Sequence, residues 1–111
     1  MKTRISKIDN QTTVFLVEDG DSGPLVDAFD KFKNGYSIMG TAVPPFAVID
    51  SRLLKEDWCT EDHLLAIEAH ELGHIHAQTE NEVLAEQTGI DLLLMSNLKK
   101  PADILLQRGI V

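Results

Sequence analysis

Cys59 is the only cysteine among the 111 residues, so no intramolecular disulfide can form and nothing points to an oxidising compartment. Aromatic residues make up only 5% of the chain, which leaves Leu, Ile, Val and Ala to build the core. Basic residues are scarce: 10 Lys and Arg stand against 18 Asp and Glu, a formal charge of −8. That balance argues against nucleic acid and against an anionic membrane as partners. No stretch approaches the ~18 consecutive apolar residues of a membrane span. Met1-Lys2-Thr3-Arg4-Ile5 is followed by polar residues rather than the apolar core of a signal peptide, so a cytoplasmic protein is expected.

What remains is ordinary for a globular domain, with 43% apolar and 25% charged residues. The length suits one domain over residues 1–111 with a single core. No internal repeat, low-complexity tract or linker interrupts it.

The informative feature is the pentad His70-Glu71-Leu72-Gly73-His74, set in an apolar segment without a helix breaker before it. Histidines four apart on a helix lie one turn above each other on nearly the same face, so both imidazoles can reach one metal ion. This is the H-E-x-x-H arrangement, in which Zn²⁺ polarises a carbonyl and activates water while the glutamate, here Glu71, acts as general base. The pattern predicts a zinc-dependent hydrolase, most simply a peptidase. A helix carrying two unrelated histidines is the plain alternative.

Coarse patterning supplies the frame. Residues 5–8 and 13–18 read as strands joined through Asp9-Asn10-Gln11, either a hairpin or one interrupted strand. Leu25 to Phe32 fits a short amphipathic helix with Pro24 in its first turn and Asn34-Gly35 beyond its end. Tyr36 to Met39 is a candidate short strand, and Gly40 to Pro45 reads as a loop because of its two prolines. Phe46 to Asp50 reads as a strand at or near a sheet edge, and Ser51 to Trp58 as a helical turn. Thr60-Glu61-Asp62 caps a helix running to about Ala77, and a second helix fits Glu80 to about Asn97. Gly89 inside it costs about 1 kcal/mol relative to Ala, which suggests close helix packing. A last short helix fits Ala102 to Arg108, stopped by Gly109.

A catalytic zinc takes three protein ligands and leaves a fourth position open. With Glu82-Val83-Leu84-Ala85-Glu86 on the helix that follows the pentad, the chain resembles the gluzincin metallopeptidases. In that group H-E-x-x-H is followed by a glutamate on a separate helix, in an E-x-x-A-D-like pattern. A weaker resemblance runs to phage-associated peptidases of the ImmA/IrrE type. The likeness covers residues 60 to 95 and implies a bacterial, archaeal or phage-encoded protein with one Zn²⁺ per chain. It implies His70, His74 and Glu82 as metal ligands, Glu71 as the catalytic base, and Glu86 as the acceptor that orients a ligating histidine. His74 and Glu82 are only eight residues apart, so a reversal too tight for Glu82 would make Glu86 the ligand.

The fold implied is α+β: a small, mostly antiparallel sheet packed on a backing helix, the H-E-x-x-H helix and a glutamate helix. Phe46–Asp50 would be the edge strand above the cleft, where a peptide or protein substrate adds as another strand. No second oxyanion donor is assigned; Tyr36 and Arg108 have suitable side chains. His63 is more simply a helix-start residue than a cleft residue, His76 a surface one, and Cys59 a small buried apolar group. The competing function is a non-catalytic zinc-binding regulatory or interaction module, and Glu71 separates the two, because a structural site needs no general base.

Overall fold

The computed structural model describes residues 1–31 and 39–108, with the side chains of Lys31 and Arg108 excepted. It is an α+β protein. The elements run β1 (Lys2–Ile5), β2 (Thr13–Val17), α1 (Pro24–Lys31), β3 (Gly40–Val43), β4 (Phe46–Asp50), a 3-10 turn (Ser51–Lys55), α2 (Glu61–His76), α3 (Glu82–Met95) and α4 (Lys99–Arg108). Of the expected strand at Tyr36 to Met39, only Met39 falls within the described residues, and it is not in a strand. Among the described residues no helix is long and apolar enough to cross a membrane.

Among the described residues four strands lie in the order β1-β2-β4-β3. The sheet is mixed, not mostly antiparallel as expected, because its central pair, β2 with β4, is parallel. A parallel pair needs a long crossover, and the chain between β2 and β4 supplies one that passes through α1 and β3. Two further expectations change with it. Phe46–Asp50 is an interior strand, and the edge strand is Gly40–Val43, from the segment read as loop. Pro44 and Pro45 do break the ladder, but they form the two-residue turn of the β3–β4 hairpin rather than ending a loop.

Period-two alternation divides the core between the sheet's faces. Val14, Ala47 and Ile49 point to one face and pack with α2, α3 and α4 through Leu64, Leu72, Leu93 and Leu105. Val17 and Val48 point to the other face and meet Val26 and Phe29 of α1, the backing helix. Each of these large side chains contributes roughly 1.5–3 kcal/mol on leaving water.

Helix α2 runs through the middle of the molecule. Its ten residues from Leu64 to Gly73 are all buried, so it is enclosed rather than amphipathic. Thr60 caps it by accepting from the His63 N–H, while the Thr60 N–H donates to His63 Nδ1, so histidine takes the place usually held by Glu or Gln. Burial on all sides encloses Glu68 completely. Arg4 donates to its Oε1 at 2.7 Å and the Ser6 hydroxyl to its Oε2 at 2.6 Å, which pins β1 and the following residue to α2.

Helices α2 and α3 touch backbone to backbone. A Cβ added at Gly73 would fall inside the Ala85 carbonyl group, and one at Gly89 would lie 2.5 Å from the Ala69 carbonyl oxygen. Ala85, Gly89 and Leu93 form the buried stripe of α3 that makes this approach. Ala at position 73 gains about 1 kcal/mol of helix propensity but forces the backbones apart. Gly73→Ala is expected to lose a net stability of about 3 kcal/mol, seen as a lower urea midpoint at unchanged slope. An unchanged midpoint would contradict the close crossing.

Candidate metal centre

The chain reverses between α2 and α3 in five residues, Ala77 to Asn81. Gln78 adopts a left-handed conformation at φ 48°, and Asn81 caps α3 by accepting from the Leu84 N–H at 3.0 Å. This tight reversal is feasible because the two glycines let the helices lie so close. It sets Glu82, in the first turn of α3, opposite the two histidines of α2.

The imidazoles of His70 and His74 stack edge to face with centroids 4.9 Å apart. One ligand atom from each of His70, Glu71 and His74 lies within 4.8 Å of the others. Glu82 spans both imidazoles: its Oε2 is 2.7 Å from His70 Nε2 and its Oε1 is 3.3 Å from His74 Nε2. Both Nε2 atoms thus face one carboxylate. Glu86 lies on the other side of the His70 ring, with Oε1 3.5 Å from Nδ1, and is 1% exposed. Of the two glutamates left open as third ligand, Glu82 meets both imidazoles from the groove, whereas Glu86 stands on the far side of the His70 ring.

His74 is oriented by the backbone. Its Nδ1 lies 2.8 Å from the Thr79 carbonyl oxygen, which can only accept, so Nδ1 carries the proton and Nε2 is left to face Glu82. No sequence pattern signals a backbone acceptor of this kind. The left-handed Gln78 immediately before it turns the chain at this point.

These groups sit in a groove of about 890 Å³ between β3 and the C-terminal half of α2. Met39, Gly40, Ala42 and Pro45 form one wall; Ile67, His70, Glu71 and His74 form the floor; Thr79, Glu80 and Glu82 close one side. The groove carries three carboxylates and no lysine or arginine among its described lining residues.

The remaining histidines and the cysteine lie elsewhere. His63 belongs to the α2 cap and meets Trp58 edge to face at 5.8 Å. Cys59 is buried in the core beside α2, where burial first and then the charges of Glu61 and Glu56 push its thiol up from the ordinary range. His76 is at the surface but not solitary, since its Nε2 is 2.8 Å from Asp9 Oδ2. Tyr36 and the Arg108 side chain, the candidates for an oxyanion donor, lie outside the described residues. The buried Glu68 was missed although its signal was present: an acid within the apolar run Leu64 to Ala69, away from the histidine face.

Comparison of the chain with protein-family models, with curated proteins and with solved structures finds no match, so the site is read from its own geometry.

The Asp9–His76 contact gives a pH-dependent prediction. Burial alone would raise the Asp9 carboxyl, but hydrogen bonds from Thr12, His76 and Gln11 outweigh it and hold Asp9 below its ordinary 3.8. A carboxyl lowered by folding stabilises above its unfolded value, and that stability is lost as the pH falls through the folded one. Asp9→Asn is expected to lower the thermal midpoint by roughly 4 °C at neutral pH, about 1 kcal/mol. The difference from the parent protein should shrink as the pH falls below 3.8. A difference independent of pH would contradict the assignment.

Proposed function

We propose that this protein is a zinc-dependent metallopeptidase of gluzincin type, with His70, His74 and Glu82 holding one zinc ion and Glu71 serving as general base. The observation that carries the reading is the convergence of both Nε2 atoms on the Glu82 carboxylate, with Glu71 beside them on the groove floor. The donor set fits zinc: two neutral imidazole nitrogens and a carboxylate are its usual catalytic ligands. The Glu82 oxygens lie 2.7 Å from His70 Nε2 and 3.3 Å from His74 Nε2, so the three side chains could hold one ion between them. The ion supplies a Lewis acid that polarises a peptide carbonyl and acidifies a water molecule.

The chain's own residues do the rest. Glu71, 8% exposed, takes the proton of the attacking water and returns it to the leaving amine. Thr79 keeps the Nδ1 proton on His74, and Glu86 stands at Nδ1 of His70, so each ligand presents Nε2 to the same point. Strand β3 is a sheet edge beside the groove, where an extended peptide gains main-chain hydrogen bonds by adding as a strand. The open groove and a Glu82 side chain that is 59% exposed favour this reading over a purely structural zinc site, which closes its fourth position.

Purified protein is expected to bind one zinc per chain by elemental analysis and to cleave members of a peptide library. Glu71→Gln should keep the zinc and lose at least a hundredfold in rate. Failure to take up zinc, or cleavage that survives Glu71→Gln, would overturn the proposal. Within the same site, Glu82→Ala is expected to weaken zinc binding more than Glu86→Ala, whose effect should lie at about 10–100-fold. The reverse order in a competition titration with a chromophoric chelator would exchange the two roles.

A further inference from the structure

Gly40 is the first residue of the edge strand, and its position over α2 has a consequence for Glu71. A Cβ at this residue would lie 3.0 Å from Ile49 Cδ1, 3.0 Å from Ile67 Cγ2 and 3.2 Å from Glu71 Cγ. Contacts that short require the neighbours to give way. The edge strand therefore rests on the Glu71 side chain without any side chain of its own between them.

The backbone of Gly40 faces the other way. Its register with β4 pairs Gly40 with Ile49 and Thr41 with Val48, and the Asp50 N–H donates to the Met39 carbonyl at 3.0 Å. Met39 and Asp50 thus form a hydrogen-bonded pair of the antiparallel ladder, and so do Thr41 and Val48. In the intervening residues, Gly40 and Ala42, the backbone N–H and C=O point away from β4, to the side where no described strand pairs with them. The series of outward-facing N–H groups ends at Ala42, because Pro44, the next in the alternation, has none. One residue thus meets the side chain of Glu71 from above and offers its backbone to whatever lies along the groove.

We infer that Gly40 is a positioning residue: its missing side chain sets the height of the edge strand over Glu71, and so the distance between Glu71 and a peptide paired to that strand. The inference rests on the peptidase reading for its effect on rate, but the hold of Gly40 on Glu71 stands apart from it. Pairing along the strand survives a small lift, so peptide binding is retained. The reacting geometry does not survive it, because a misplacement of ~1 Å costs about a hundredfold in rate.

The test compares Ile49→Val with Gly40→Ala/Ile49→Val. Ile49→Val removes the Cδ1 atom, one of the two apolar atoms that the new methyl would meet at 3.0 Å, while the contacts with Ile67 Cγ2 and Glu71 Cγ stay. In the zinc-loaded double variant, zinc stoichiometry should be unchanged and KM for the best library peptide should stay within about twofold. Its kcat should fall at least ~10-fold, as expected for a displacement of a few tenths of an ångström. In the metal-free protein, the side-chain carboxyl ¹³C resonance of Glu71 should move while those of Glu80 and Glu82 stay in place. An unmoved Glu71 resonance, or a loss confined to KM, would overturn the inference. If the parent protein cleaves no peptide, the peptidase reading falls and the resonance alone decides the role of Gly40. Should the double variant not fold, adding Ile67→Leu removes the Cγ2 branch as well, and the same criteria apply.

Discussion

The contact on which the rest of the site depends is the backbone approach of α2 and α3 at Gly73 and Gly89. Neither residue needs glycine for its dihedral angles; both are helical. Each needs it because the opposite carbonyl occupies the space of a side chain. Helix axes usually stand 8–10 Å apart, set by the side chains between them, and removing those side chains removes the spacer. One face of α3 then lies directly on the histidine helix. Its first turn brings Glu82 to both Nε2 atoms, and its second brings Glu86 to the far side of His70. Gly73 lies within the H-E-x-x-H pentad itself, so the same five residues hold the two histidines and permit the packing that brings Glu82 to them.

Enclosing α2 on every side has an electrostatic cost, because Glu68, His70, Glu71 and Glu86 all leave water with it. The structure offsets the cost differently at the two faces. On the face away from the groove, Glu68 is bound by Arg4 and Ser6, an arrangement that ties the edge strand β1 to the central helix. On the groove face, acids and imidazoles are opposed to one another, with Glu82 and Glu86 set at opposite nitrogens of His70. A carboxylate 2.7 Å from His70 Nε2 accepts a hydrogen bond from it, and a divalent cation would take the place of that hydrogen on the same lone pair. The bonds of His70 to Glu82 and of His74 to the Thr79 carbonyl fix both imidazoles in orientation, which is the condition for a preorganised site.

Much of this was legible in the sequence because it is local. The spacing of His70 and His74, the Thr60 cap, the amphipathic α1 and the glutamate helix all depend on residues within a turn or two of one another. The parts that were not legible depend on pairings distant along the chain. Gly40 to Pro45 reads as a loop because its two prolines obscure a short strand whose partner, among the described residues, is β4. The parallel β2–β4 pair is invisible to local pattern, although the unbroken apolar run Val14 to Val17 carried the mark of a strand buried on both faces. The orientation of His74 by the Thr79 carbonyl leaves no trace in residue identity, since any residue but a misfit to the turn would offer that oxygen. Glu68 is the converse case: its identity was conspicuous, but its partners lie 62 and 64 residues away.

The central claim is that Glu82 joins the two histidines of α2 at a single ion, and X-ray absorption at the zinc edge of the loaded protein tests it most directly. A first shell of nitrogen and oxygen alone at ~2.0–2.1 Å is expected, with the outer-shell scattering of two imidazoles. That pattern should revert toward a more hydrated shell in Glu82→Ala but not in Glu86→Ala. A sulfur neighbour at ~2.3 Å would place Cys59 at the metal, and a third imidazole would bring in His63 or His76. Either result would contradict the site described.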